Sequence, residues 1–154
     1  MFDLLDRPLI FIPVEWPGLI ANDAGDAVPT THSLEVQIEL LDRAEFTEWM
    51  KEGSTEADEE LSQADKIARE RSTFRRVAKG WRKIKANGRV PEFSDENIER
   101  LLMFPGFNNA FGTAYIAAWS GKVATREGNS AGSPVNGPGG EPTDATKTDT
   151  TPSN

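Results

Sequence analysis

The first hydrophobic segment of the chain predicts a β-strand. Residues 9–16 form an apolar run rich in β-branched and aromatic side chains, which is typical of a strand. Pro13 lies inside the run and cannot donate to a β-ladder, so this strand is expected at a sheet edge or at a bulge. Residues 17–31 contain many Gly, Pro, Asn and Asp residues, and this composition predicts a loop.

A second strand follows, because residues 32–41 alternate between apolar and polar side chains. Its apolar positions all fall on one side of a strand. They are Leu34, Val36, Ile38 and Leu40. The two strands are expected to form an antiparallel pair whose apolar side is covered by helices or by a partner, because a lone pair is marginal in water. We expect residues 34–41 to form an edge strand that is open to backbone pairing.

The central part of the chain has the period of α-helices. Asp42 is suited to cap a helix over residues 43–51, and Gly53 is suited to end it. Ser54 or Thr55 is expected to cap a second helix that continues to about Ile84. The apolar positions of that helix fall on one stripe. They are Ile67, Phe74, Val77, Ala78, Trp81 and Ile84.

Residues 87–121 predict a turn and two further helices. The turn lies at Asn87-Gly88, and Ser94 is suited to cap a short helix. Pro105 breaks the helical pattern, because proline disfavours a helical residue before it and suits the start of a new helix. The last helix ends at Gly121. Its apolar stripe consists of Phe107, Ala110, Phe111, Ala114, Tyr115 and Ala118. These elements predict an α+β fold, an N-terminal β-hairpin followed by about four helices.

Composition divides the chain into two parts. Residues 1–123 are long enough for one modest core, whereas residues 124–154 are mostly Gly, Pro, Ser, Thr and Asn. The second part cannot bury enough apolar area to offset its ordering entropy, and it is expected to be a disordered tail. No apolar run reaches the roughly 20 residues that span a bilayer. Asp3 and Asp6 precede the first apolar cluster, which argues against a secretory signal.

The residue types limit the available chemistry. The chain has no cysteine and a single histidine, His32, which we expect at a strand end. Neither a conventional zinc site nor a His-based catalytic triad can be assembled from this set. The acids of residues 56–60 crowd a predicted helix start, where the helix dipole favours them, and do not converge as cation ligands do. No phosphate-binding glycine motif occurs. We therefore predict no catalytic, metal or cofactor site and expect a binding protein.

Charge and aromatic residues mark two candidate binding surfaces. Residues 35–65 are mainly acidic and residues 66–89 mainly basic, in a chain of net charge −8. The basic residues either dock an acidic partner or form a solvated face that the acidic helix neutralises; the acidic surroundings make nucleic acid an unlikely partner. The candidates for this electrostatic face are Arg75, Arg76, Lys79, Arg82 and Lys83. Large apolar residues either build the core or anchor a partner. The candidates for partner binding are Trp81, Phe93, Leu101, Leu102, Phe104, Phe107, Phe111, Tyr115 and Trp119.

The order of these motifs resembles the tail assembly chaperones of tailed bacteriophages. The similar segments are Gly80-Trp81-Arg82-Lys83-Ile84, Phe93-Ser94-Asp95-Glu96-Asn97, Leu101-Leu102 and Pro105. The resemblance covers roughly residues 9–121, and its motifs are specific as a set and weak singly. It implies a non-enzymatic protein of the host cytoplasm that is absent from the finished virion. The implied partners are the tape measure protein, which the chaperone keeps soluble, and the tail tube protein, which it helps to recruit.

Other functions remain open at this level. A structural head–tail connector or minor tail component is likewise small and α+β. A nucleic-acid-binding regulator would use the basic residues 66–89. Self-association is a further possibility, because a two-stranded sheet leaves apolar surface to cover.

Overall fold

A computed structural model describes Asp3 and residues 6–54 and 60–122 of the 154-residue chain. The elements in chain order are β1 (Leu9–Ala21), β2 (Ala27–Glu39), α1 (Arg43–Glu52), α2 (Gln63–Val77), β3 (Ala78–Arg82), α3 (Asp95–Leu102) and α4 (Phe107–Trp119). The strands form one antiparallel sheet in the order β1-β2-β3. This confirms the α+β prediction, with an N-terminal hairpin and four helices. The predicted tail, residues 124–154, lies outside the described residues and stays a prediction. Residues 56–59, which hold most of the acids expected at a helix start, also lie outside them.

The hairpin is much longer than its hydrophobic pattern predicts. β1 and β2 pair from Leu9 opposite Glu39 to Ala21 opposite Ala27, so most of the predicted loop 17–31 is strand. Only residues 22–26 turn, and there the Asn22 side chain accepts hydrogen bonds from the backbone N–H groups of Ala24 and Asp26, both at 2.9 Å. Pairing continues through Pro17 and Pro29 because proline is tolerated where its missing N–H faces away from the partner strand. His32 consequently lies within β2 and not at its end.

β2 is the central strand of the sheet, so the predicted edge strand at 34–41 is wrong. Leu34, Val36 and Ile38 are buried, as the alternation predicts. β1 covers one edge of β2 along its whole length, and β3 pairs with the other edge from Glu35 to Ile38. β1 lies at the sheet edge, as expected from Pro13.

The predicted helix to Ile84 is also wrong, because the chain leaves α2 at Val77 and forms β3. Gln37 pairs with Gly80 and Ile38 with Ala78, so Lys79 is an extra residue of β3 and forms a β-bulge. The bulge turns both Ala78 and Trp81 toward the core, with 1% and 8% of their surface exposed. Their spacing of three, which imitates a helical stripe, is therefore produced by a strand with a bulge.

Local helix signals agree with the structure at most termini. Asp42 caps α1 through a capping box with Glu45, and Ser94 caps α3. The second helix is an exception: it begins at Gln63 with Ser62 as its cap, later than Ser54 or Thr55. The turn at Asn87-Gly88 is confirmed, with φ of 52° and 79° at its two residues. α3 ends before Pro105, and α4 begins just after it.

The helices cover one face of the sheet and enclose a single aromatic-rich core. α4 packs on β1, and its residues Phe107, Phe111 and Tyr115 are at most 2% exposed. Phe74 of α2 packs against α4, with its ring centre 4.7 Å from that of Phe111. α4 therefore decides which part of the hairpin is buried.

Candidate docking surfaces

Most of the residues predicted to bind a partner are part of the core. Six of the nine are buried, with at most 8% of their surface exposed. They are Trp81, Leu101, Leu102, Phe107, Phe111 and Tyr115. Phe93 and Trp119 are half-buried and pack against this core. Only Phe104, which is 53% exposed, presents most of its ring to solvent. These six side chains are therefore packed in the core and present little or none of their surface to solvent.

The polar atoms of the predicted aromatic residues are used inside the fold. The Tyr115 hydroxyl accepts a hydrogen bond from the Leu41 N–H at 3.1 Å and donates to the Glu39 carbonyl at 2.9 Å. Trp119 donates its indole N–H to the Leu41 carbonyl at 2.8 Å. Trp81 donates to the Pro91 carbonyl, also at 2.8 Å. These bonds fix α4 to the end of β2, and they fix β3 to the segment that precedes α3.

The predicted basic face is neutralised by acidic neighbours. Each of its five side chains lies within ion-pair distance of a carboxylate on another element. Arg75 pairs with Asp95, Arg76 with Glu48 and Glu52, Lys79 with Glu39, and both Arg82 and Lys83 with Glu35. A phosphate backbone would have to compete with these pairs, so the arrangement favours the solvated, neutralised face over a nucleic-acid site.

A groove lies between α1, α2 and α4. Its volume is about 300 Å³. Trp49, Phe74 and Phe111 line it and are themselves buried. Met50 and Ile116, which are 43% and 37% exposed, line it nearer to solvent. The groove thus combines an apolar floor with exposed aliphatic side chains.

The rim of the groove is polar and held in place by backbone contacts. α4 contributes Asn108, Asn109 and Thr113, and α2 contributes Lys66 and Arg69. The Arg69 guanidinium donates to the carbonyls of Glu52 and Ser54, at 2.5 and 2.8 Å, and so joins α2 to the end of α1. The Trp49 indole donates to the Thr73 carbonyl at 2.9 Å and joins the same helices at the floor. An apolar floor with a polar rim is typical of a protein-binding surface.

The second candidate surface is the outer half of the hairpin, residues 17–31, which we call the arm. Among its fifteen residues only Gly18 and Thr30 are partly covered. Leu19, Ile20 and Val28 are 66%, 52% and 37% exposed. Ile20 pairs with Val28 across the ladder. Both lie on the sheet face that the helices bury in the other half of the hairpin. The arm therefore continues the apolar face of the sheet beyond the part that α4 covers.

The base of the arm is closely packed. Trp16 lies against Phe107, with ring centres 5.1 Å apart, and against His32 at 5.5 Å. A Cβ atom added at Gly18 would lie 2.1 Å from the His32 ring, so Gly18 leaves the space that this ring occupies. Gly106, at the start of α4, approaches Trp16 from the helical side. Met103 and Phe104, in the turn that precedes Gly106, are exposed as well.

Two titratable groups are perturbed by their surroundings. Burial raises the pKa of the Tyr115 hydroxyl. Hydrogen bonds from Lys83 and then from Arg82 lower the pKa of the Glu35 carboxyl. In the part of the chain that the structure describes, no group of three His, Cys, Asp or Glu residues could hold a metal ion. No helix in the same residues is long and apolar enough to cross a membrane.

Comparison of the chain with protein-family models, with curated proteins and with solved structures gives no match in any of the three. The resemblance to tail assembly chaperones therefore rests on the sequence motifs alone.

Proposed function

We propose that this protein is a tail assembly chaperone of a tailed bacteriophage that works in the host cytoplasm. Its client is the tape measure protein, and it recruits tail tube subunits without remaining in the virion. The proposal rests on the motif resemblance, and one structural observation supports it: the groove between α1, α2 and α4 offers apolar side chains to a partner.

The groove suits a chaperone because its apolar contacts are limited in area. A client helix can place a few apolar side chains against Met50, Ile116 and the floor beneath them. Burial stabilises such contacts by about 25 cal/mol per Å² of apolar surface, and the loss of translational and rotational freedom offsets much of this. The resulting complex is reversible, so polymerising tube protein can displace the chaperone.

The polar rim suits a client that is amphipathic. Asn108, Asn109 and Thr113 can exchange hydrogen bonds with the solvent-facing side of a bound helix, and Lys66 can pair with an acidic residue on it. Helix-in-groove recognition of this kind places apolar anchors at helical spacing into a cleft. The expected client segment therefore carries apolar residues three or four positions apart and an acidic residue beside them.

Co-expression with the tape measure protein tests the proposal. Met50→Asp and Ile116→Asp place a charge on the groove in side chains that are already exposed, so the fold should survive. Each variant is expected to reduce the amount of tape measure protein that stays soluble and copurifies. Val90→Asp is the matched control, because Val90 is 60% exposed and lies outside the groove.

The proposal fails if the two groove variants copurify with the tape measure protein as well as Val90→Asp does, while circular dichroism shows all three folded. Detection of the protein in purified virions would favour a structural tail component instead.

A further inference from the structure

In the arm, one edge of β2 is not paired with any other described strand. β3 pairs with β2 only from Glu35 to Ile38, so residues 27–34 of β2 have β1 on one side and no other described strand on the other. This edge contains no charged residue, although the chain carries a net charge of −8. Natural edge strands are usually protected by charge or proline, and only Pro29 protects this one.

The prolines of the hairpin show which backbone groups face outward. Every pair in the ladder joins two odd-numbered or two even-numbered residues, and Pro13, Pro17 and Pro29 are all odd. Because proline has no N–H, the odd positions belong to pairs that do not exchange hydrogen bonds within the hairpin. On β1, Pro13 and Pro17 thus remove donors from the outer edge. On β2, Thr31 and Ser33 present free N–H groups along the open edge.

We propose that this open edge pairs with the same edge of a second copy of the chain, so that two arms form a continuous antiparallel sheet. An antiparallel edge is self-complementary under a two-fold axis, which is the symmetry of most homodimers. The neutral edge also gives two chains of like net charge a surface through which to approach.

The observed pairing selects one register. Centring the two-fold axis on Thr30 places Ala27 opposite Ser33 of the partner subunit and leaves Glu35 free to pair with β3. Centring it on Thr31 would place Ala27 of one copy opposite Glu35 of the other, which β3 already occupies. Centring it on Pro29 would shorten the pairing and remove the donor of the central residue. Of the three registers, only the one centred on Thr30 pairs every residue of the open edge with an outward N–H group (Ala27, Thr31 and Ser33) without using Glu35.

Charge complementarity supports the same arrangement. The antiparallel arms bring the tip of each copy, with Asp23 and Asp26, beside the place where β3 of the other copy ends. That place carries Arg82 and Lys83, whose side chains are 53% and 59% exposed and share the single carboxylate of Glu35. An acidic tip would therefore meet a group with an excess positive charge.

Disulfide trapping tests the register in the full chain, which contains no other cysteine. In Thr30→Cys the two introduced thiols face each other across a non-hydrogen-bonded pair, where Cα atoms lie about 4.5 Å apart, close enough for a disulfide. Mild oxidation is expected to give a covalent dimer. Ile20→Cys is the matched control: Ile20 is more exposed but lies on β1, away from the proposed axis, and this variant should form no disulfide-linked dimer.

Sedimentation equilibrium tests the edge without cross-linking. Thr31→Pro removes one outward N–H from the pairing edge without removing a hydrogen bond within the hairpin. The expected loss is about tenfold or more in dimer affinity, which corresponds to about 1.4 kcal/mol. Leu19→Pro makes the same change on the other edge of the arm and should leave the affinity unchanged.

The proposal is overturned if the wild-type chain sediments as a monomer at all concentrations, or if Ile20→Cys cross-links as readily as Thr30→Cys. It is also overturned if both proline variants weaken association equally while both remain folded. None of these results depends on the tape measure protein, so the chaperone proposal is tested separately.

Discussion

The two halves of the hairpin have similar side chains and opposite environments. Ile12 and Val14, near the helices, are 1% and 0% exposed. Ile20 and Val28, on the same face of the same ladder, are 52% and 37% exposed. Both pairs are β-branched residues at inward positions of a strand. The difference is that Phe107 and the rest of α4 cover the first half of the hairpin. This cover reaches along β1 only as far as Trp16.

This contrast separates strand formation from burial. The backbone ladder forms along the whole hairpin, but apolar residues stabilise the domain only where another layer removes them from water. The covered half is therefore expected to carry the stability of the fold, and the arm is available for association.

The sharpest test of this contrast removes an apolar side chain from each half. Phe107→Ala empties a fully buried position and is expected to lower the free energy of unfolding by about 3–5 kcal/mol. Ile20→Ala removes a mainly exposed side chain and is expected to change it by no more than about 0.5 kcal/mol. Urea titration of both variants at low protein concentration, where dimers do not contribute, measures the difference. Similar losses in the two variants would show that the arm is covered in solution.

Tyr115 tests the attachment of α4 to the covered half. Tyr115→Phe keeps the ring but leaves the buried Leu41 N–H and the Glu39 carbonyl without their partner, at an expected cost of about 1–3 kcal/mol. Phe111→Leu is a useful companion, because it changes packing on the same helix without removing a hydrogen bond.

The same residue predicts a loss of stability at alkaline pH. Burial raises the pKa of Tyr115 in the folded protein, so the unfolded chain releases this proton first. The contribution is fully present below the ordinary tyrosine pKa of about 10 and is lost as the pH rises toward the folded value. Tyr115 is the only tyrosine, so phenolate absorbance reports its titration directly. Ionisation at the ordinary pKa in the folded protein would contradict the buried position.

The smallest expected effect lies where the open edge of β2 meets β3. Glu35→Gln removes the carboxylate shared by Arg82 and Lys83, and because both bases are largely exposed the loss is about 0.2–1 kcal/mol at neutral pH. Since the pKa of Glu35 is lowered in the folded state, its contribution is present above the ordinary carboxyl value of 4.5 and is lost as the pH falls below it. The wild-type and Glu35→Gln stabilities should therefore converge in acid. Glu96→Gln, which removes an exposed pair within α3, is the companion variant at neutral pH, where its loss should also stay below about 1 kcal/mol.

Much of the local structure could be predicted from the sequence. The caps at Asp42 and Ser94 and the Asn87-Gly88 turn depend on side-chain oxygens and backbone angles within a few residues, so a short segment contains the information. The stripe of α4 is equally local, because its large residues recur at helical spacing. Alternation likewise placed Leu34, Val36 and Ile38 on the buried face.

The errors occurred where distant segments decide the conformation. The composition of residues 17–31 favours a loop, but pairing between the two strands extends through Pro17 and Pro29. Ala78 and Trp81 have helical spacing, yet β2 draws them into a strand and a bulge provides that spacing. The aromatic residues of the candidate site could not be divided between core and surface for the same reason, since burial depends on which elements meet.

The sequence by itself determined the hairpin, the helix signals and an apolar face for each element, because these depend on neighbouring residues. Only the tertiary structure decided how far that face is covered. The packing of α4 on the hairpin stops at Trp16 of β1, and the pairing of β3 stops at Glu35 of β2. Beyond those two residues the same strand pattern leaves an exposed arm with an open edge, because burial requires a second layer and edge protection requires a neighbouring strand.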